Sequence, residues 1–231
     1  MVDLNAAMRA LAGQRPIFHS EADFQHALAM GISKADTTAQ IRLEFRPVSH
    51  ERSYIDLWVS DGNRKLAIEL KYKTRSVSVD WLEERFDLAN HGAQDLGGYD
   101  VWKDVQRVER ICAHRPDVYG HVIFLSNDAT YWREPTSEGT VGSAFRLHDG
   151  RLASGGLFWA SHAGNGTIKN REKPVKLDGS YRITWNDYSR LGAGPGLTFR
   201  YTIIPVTAIA QKGTVADNSL AGLEFAREHC P

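Results

Sequence analysis

The chain has 231 residues, 42% of them apolar and 24% charged, with 28 Lys and Arg balanced by 28 Asp and Glu. This composition excludes disordered, collagen-like and coiled-coil chains, and the formal charge of zero excludes a strongly basic nucleic-acid coat, so any anion site must be local. Cys112 and Cys230 fit no metal or redox spacing, and neither a signal peptide nor a membrane-length apolar run is present; a soluble, cytoplasmic protein is expected.

After a ragged start, Ser20 precedes Glu21 and Asp23, a helix N-cap followed by acids. Phe24, Ala27, Leu28 and Ile32 supply the apolar face of that helix. Three strands are predicted next, at 41–45, 54–59 and 66–72, the last two joined by the hairpin signal Asp61-Gly62-Asn63. Residues 76–98 are mixed and polar, with Trp81, Leu82, Phe86 and Leu88 as packing points. A helix is predicted over 99–113 and a buried strand over 121–126. Helix, three strands, helix, strand describes an α/β unit with a crossover helix. From Tyr131 onward short β-like pieces recur at 156–160, 180–185 and 198–206; Gly192 to Gly196 reads as a loop, and a last helix is expected near Asn218. The expected organisation is an α/β core over residues 1–135 with a β-rich C-terminal extension over 136–231 folded against it.

A hairpin centred on Asp61-Gly62 sets Val59 opposite Arg64, Leu57 opposite Leu66 and Asp56 opposite Ala67. Side chains alternate along strands, so Ile55, Leu57, Val59, Leu66, Ile68 and Leu70 share one apolar face. The other face gathers Asp56, Glu69, Lys71 and Trp58, with the two acids as diagonal neighbours about 7–8 Å apart. Paired carboxylates with carbonyl and water oxygens suit Mg²⁺. Such an ion polarises a phosphoryl oxygen and activates water, and a nearby lysine offsets developing charge. The plain alternative for Glu-x-Lys is a solvated ion pair; the apolar opposite face and the adjacent acid favour a built site.

The run Tyr54-Ile55-Asp56-Leu57-Trp58-Val59, followed by Ala67-Ile68-Glu69-Leu70-Lys71-Tyr72-Lys73, resembles the PD-(D/E)xK nuclease superfamily over about residues 15–128. Ile55 stands where the name-giving proline would be. The resemblance implies a restriction-endonuclease-like α-β-β-β-α-β core. It implies Asp56, Glu69 and the Leu70 carbonyl as metal ligands and Lys71 as the catalytic lysine. Glu21 is similar to an acid that many members place near the metal, and Gln94 to a polar residue that follows the core motif. The implied activity is Mg²⁺-dependent phosphodiester hydrolysis, with Mn²⁺ as a substitute, on DNA rather than RNA. Double-strand cutting would use a symmetric homodimer. The alternative is an inactive nuclease-fold module that binds nucleic acid or protein.

Other groups are open to two readings. Asp104, Arg107 and Glu109 line a cleft or form a structural ion pair. Trp58, Tyr72, Trp102, Tyr131 and Trp132 stack bases or, as favoured for all but Trp58, which shares the charged face, pack in the core. Lys169, Arg171, Lys173 and Lys176 clamp a phosphate backbone or decorate a solvated hairpin. The net acidic stretch from Asp80 to Arg110 is expected to face away from nucleic acid. No Gly-x-Ser-x-Gly elbow, Walker loop or His-Glu-x-x-His helix occurs.

Overall fold

The computed structural model describes residues 2–48, 53–62 and 64–207; Asn63, Cys230 and the helix expected near Asn218 lie outside them. The chain begins with helix α1 (Leu4–Gln14), where a ragged start was expected. Asp3 caps it by accepting the Ala6 N–H at 3.0 Å, and Leu4, Met8 and Leu11 form a buried stripe one and two turns apart. Helix α2 (Glu21–Ala35) follows, with Ser20 as its N-cap as the sequence predicts.

Strands β1 (Gln40–Phe45), β2 (Ile55–Asp61) and β3 (Arg64–Lys73) come next. The polar stretch after them forms a hairpin of β4 (Val77–Trp81) and β5 (Glu84–Leu88). Phe86 and Leu88 are its buried anchors, whereas Leu82, at the tip, is 82% exposed. Helix α3 (Gln94–His114) then crosses over to β6 (Val118–Ser126), which lies parallel to β3. The C-terminal half adds β7 (Leu152–Leu157), β8 (Val175–Arg182), β9 (Trp185–Arg190) and β10 (Thr198–Val206).

The result is a mixed α/β fold. A six-stranded sheet has the order β1-β2-β3-β6-β10-β9, so β9 and β10 extend the sheet that β1–β3 begin, and β7 and β8 pair apart from it. One apolar layer joins α1, α2 and the β4–β5 hairpin to the sheet through Leu57, Val59, Ile68 and Leu70. The other joins α3 and the β7–β8 ribbon to Ala67, Val122 and Phe124. Gly120 permits the close approach of α3 to β6: a Cβ there would meet Val108 Cγ1 at 2.1 Å. Trp58, Tyr72, Trp102 and Tyr131 are buried in these layers and offer no stacking surface. Among the described residues no helix is long and apolar enough to cross a membrane.

Candidate active site

The β2–β3 ladder runs from Asp61 opposite Arg64 to Leu57 opposite Ile68. This register is displaced by two residues from the one expected, because Asp61 itself pairs with Arg64 and so belongs to the ladder rather than to the turn. A two-residue shift leaves every side chain on its face, so Glu69 and Lys71 still point away from Leu57, Val59 and Ile68. Ile55 is the exception. It packs with Trp58 and Phe45 on the α3 side, next to Glu44, whose φ of 48° kinks β1.

Beyond Ile68 the two strands part. Alternate residues of an antiparallel strand direct their N–H groups to the same neighbour, so Leu70 and Tyr72 continue the series without β2 backbone opposite them. Two carboxylates replace it. Asp56 Oδ2 accepts the Leu70 N–H at 2.6 Å, and Glu21 Oε2 accepts the Tyr72 N–H at 2.7 Å. Buried backbone donors require such partners, and each carboxylate keeps a second oxygen. The fork is held open by Gln25, whose Nε2 donates to the Asp56 carbonyl at 2.7 Å and to Glu44 Oε1 at 2.9 Å. Sequence reading did not single out Gln25; its only signal is a polar residue one position after Phe24 in an apolar helix face.

On the α3 side, Glu69 is only 1% exposed and Lys71 is half-buried. Lys71 Nζ pairs with Asp104 Oδ2 at 2.9 Å and donates to the Leu70 carbonyl at 3.2 Å. Arg107 Nη2 pairs with Glu69 Oε2 at 2.7 Å and also holds Asp104 Oδ1. Asp104 and Arg107 therefore belong to the cluster, while Glu109 is a structural joint that accepts from the Asp178 and Gly179 N–H groups and the Tyr181 hydroxyl. Gln94 does not reach the cluster. It opens α3, about 15 Å along the helix axis from Asp104, and donates to Asp128 Oδ2 at 2.8 Å.

The electrostatics of the cluster are unbalanced. Burial, then the neighbouring Asp104, pushes the Glu69 carboxyl well above the carboxylate range, and burial raises Asp56 and Asp104 as well. Burial opposes the Lys71 charge, but Asp104 and Glu21 outweigh it and hold the ammonium above its ordinary value. Glu69 Oε1 is buried without a hydrogen-bond partner.

Among the described residues no three His, Cys, Asp or Glu side chains are arranged to hold a metal. Two carboxylates with a carbonyl form a hard oxygen set, which suits an ion such as Mg²⁺ that keeps several waters. The unpartnered Glu69 oxygen is the acceptor such an ion would use. In comparisons with known proteins, no family model, no curated protein and no solved structure matches the chain.

Proposed function

We propose that the chain is a Mg²⁺-dependent nuclease with a restriction-endonuclease-like core, acting on DNA. The observation that carries this reading is the gathering of Asp56, Glu69, Lys71 and Glu21 at one strand fork, with a buried carboxylate oxygen left unpartnered. The order α2, β1, β2, β3, α3, β6, with the β4–β5 hairpin inserted before α3 and with β3 and β6 parallel, supports the fold assignment.

Asp56, Glu69 and the Leu70 carbonyl would hold the ion, which when bound polarises a phosphoryl oxygen and lowers the pKa of its water. Lys71 supplies a fixed positive charge beside the reacting phosphate, positioned and kept protonated by Asp104. Arg107 holds one oxygen of Glu69 and leaves the other free. Glu21 anchors the end of β3, and so the rotation of the strand that carries both Glu69 and Lys71.

A second reading rests on a specific observation. The Lys71–Asp104 and Arg107–Glu69 pairs satisfy the charged tips within the chain itself, as expected of a nuclease-fold module that binds nucleic acid or protein without cutting. Incubation of supercoiled and linear DNA with Mg²⁺ or Mn²⁺ decides between them. The nuclease reading expects cutting by the wild type, its loss in Lys71→Ala and Asp56→Ala, and its abolition by EDTA. Unchanged cutting by either variant, or no cutting by the wild type while DNA still binds, refutes it.

A further inference from the structure

The net acidity of the segment from Asp80 to Arg110 conceals how its charges are sorted. Lys103, Arg107 and Arg110 are spaced by four and three residues and so share one face of α3. The acids of the helix are engaged elsewhere. Asp95 sits in the first turn and accepts the Leu96 N–H at 2.9 Å, Asp104 lies inside the candidate site, Glu109 is buried against β8, and Asp100 forms a two-point ion pair with Arg171 at 2.7 and 2.9 Å. The segment from Lys173 to Lys176 runs beside the helix, held by the Tyr99 hydroxyl donating to the Lys173 carbonyl and by Gln106 Nε2 donating to the Lys176 carbonyl.

This arrangement sets Lys173 beside Lys103, one turn along α3 from Tyr99, with Arg110 two turns further on the same face. Among the described residues none of these three forms an ion pair; the Lys103 ammonium donates only to Gln106 Oε1, at 3.0 Å. Burial chiefly depresses the Lys103 pKa, and the nearby charges of Arg110, Lys173 and Arg107 add to it. The neighbouring acid Glu172 is turned to the Asn170 N–H at 2.8 Å. Like charges brought together repel one another, and an extended anion relieves that cost.

We propose that Lys103, Arg110 and Lys173 form a phosphate-binding stripe that lays a nucleic-acid backbone along α3, leading through Arg107 to Glu69 and Lys71. The assignment rests on the nuclease reading for its choice of polyanion, but its test does not require hydrolysis. Binding of a fluorescein-labelled DNA duplex is measured by anisotropy in EDTA over a range of salt concentrations. Lys103→Glu/Lys173→Glu weakens binding by about tenfold or more, and the salt slope falls by about 0.9 per contact removed. Arg110→Glu acts in the same direction, and Lys34→Glu on α2 leaves binding unchanged. Should charge reversal impair folding, as thermal denaturation would reveal, the neutral Lys103→Gln/Lys173→Gln pair decides, with a smaller loss in the same sense. Unchanged affinity and slope in the stripe variants, an equal loss in Lys34→Glu, or tighter wild-type binding to polyglutamate than to DNA overturns the proposal. Binding is read in EDTA, where no metal-dependent cutting occurs. Loss of affinity in the stripe variants therefore supports the stripe even if the wild type proves unable to cut DNA, and unchanged affinity removes the stripe even if it cuts.

Discussion

The carboxylate of Glu21, in the first turn of α2, accepts the N–H of Tyr72 at 2.7 Å across 51 residues of chain. It thereby closes the strand edge that β2 leaves open. Glu21→Ala should strand a buried backbone donor and cost about 1–3 kcal/mol, whereas Glu21→Gln keeps an acceptor oxygen and should cost less. Urea denaturation of the two variants checks the difference; equal losses would show that the carboxylate does not serve as the acceptor.

Gln25 fixes the same fork from the helix side. Gln25→Leu removes both donors, to the Asp56 carbonyl and to Glu44, and should destabilise by about 1–3 kcal/mol. Because it also releases the backbone that aims Asp56, any DNA cutting should fall by more than the folded fraction does. Cutting and circular dichroism measured on one preparation test this.

The apolar face of the hairpin was legible in the sequence because alternation in β2 and β3 is nearly unbroken, and a register error of two residues cannot disturb it. Ile55 escaped that rule because a left-handed Glu44 cannot be read from composition. Helix α1 was missed because only Leu4, Met8 and Leu11 mark its period, amid alanines that pack without a strong pattern. Asp56, Glu69, Lys71 and Glu21 were readable as a set because strand parity and a helix cap place them. Asp104 and Arg107 were readable only as a pair that either lines a cleft or is structural, since helical spacing shows that two residues share a face but not which strand that face meets. Gln94 failed for the converse reason: proximity to the motif in sequence became distance along α3.

Asp104 balances two cations at once, Lys71 and Arg107. Asp104→Leu should leave both without their shared partner and cost about 3–5 kcal/mol. Lys71→Met made in the same chain should recover part of that loss, giving a coupling of about 0.5–3 kcal/mol in a double-mutant cycle. Additive losses would mean that the pair does not interact.

His121 on β6 is half-buried, with its pKa lowered to about 4 by desolvation, which keeps the imidazole neutral, and with Nδ1 buried and unpartnered. Its unfolded value is about 6.5, so the unfolded chain takes up the proton first. Stability from this residue is complete above pH 6.5 and lost as pH falls towards 4, by up to about 3 kcal/mol. The buried acids Asp56, Glu69 and Asp104 act in the opposite sense, since their raised values favour folding at low pH. Thermal denaturation from pH 7 to 4 should therefore fall less steeply in His121→Leu than in the wild type; parallel curves would place the titration elsewhere.

The nuclease reading requires the fork between β2 and β3 to receive a divalent ion. Anomalous diffraction from crystals soaked in Mn²⁺ tests it most directly. A peak bounded by Asp56, Glu69 and the Leu70 carbonyl is expected, and it should disappear in Glu69→Gln. A saturating soak with no peak there, and with both Glu69 oxygens turned to Arg107, would contradict it.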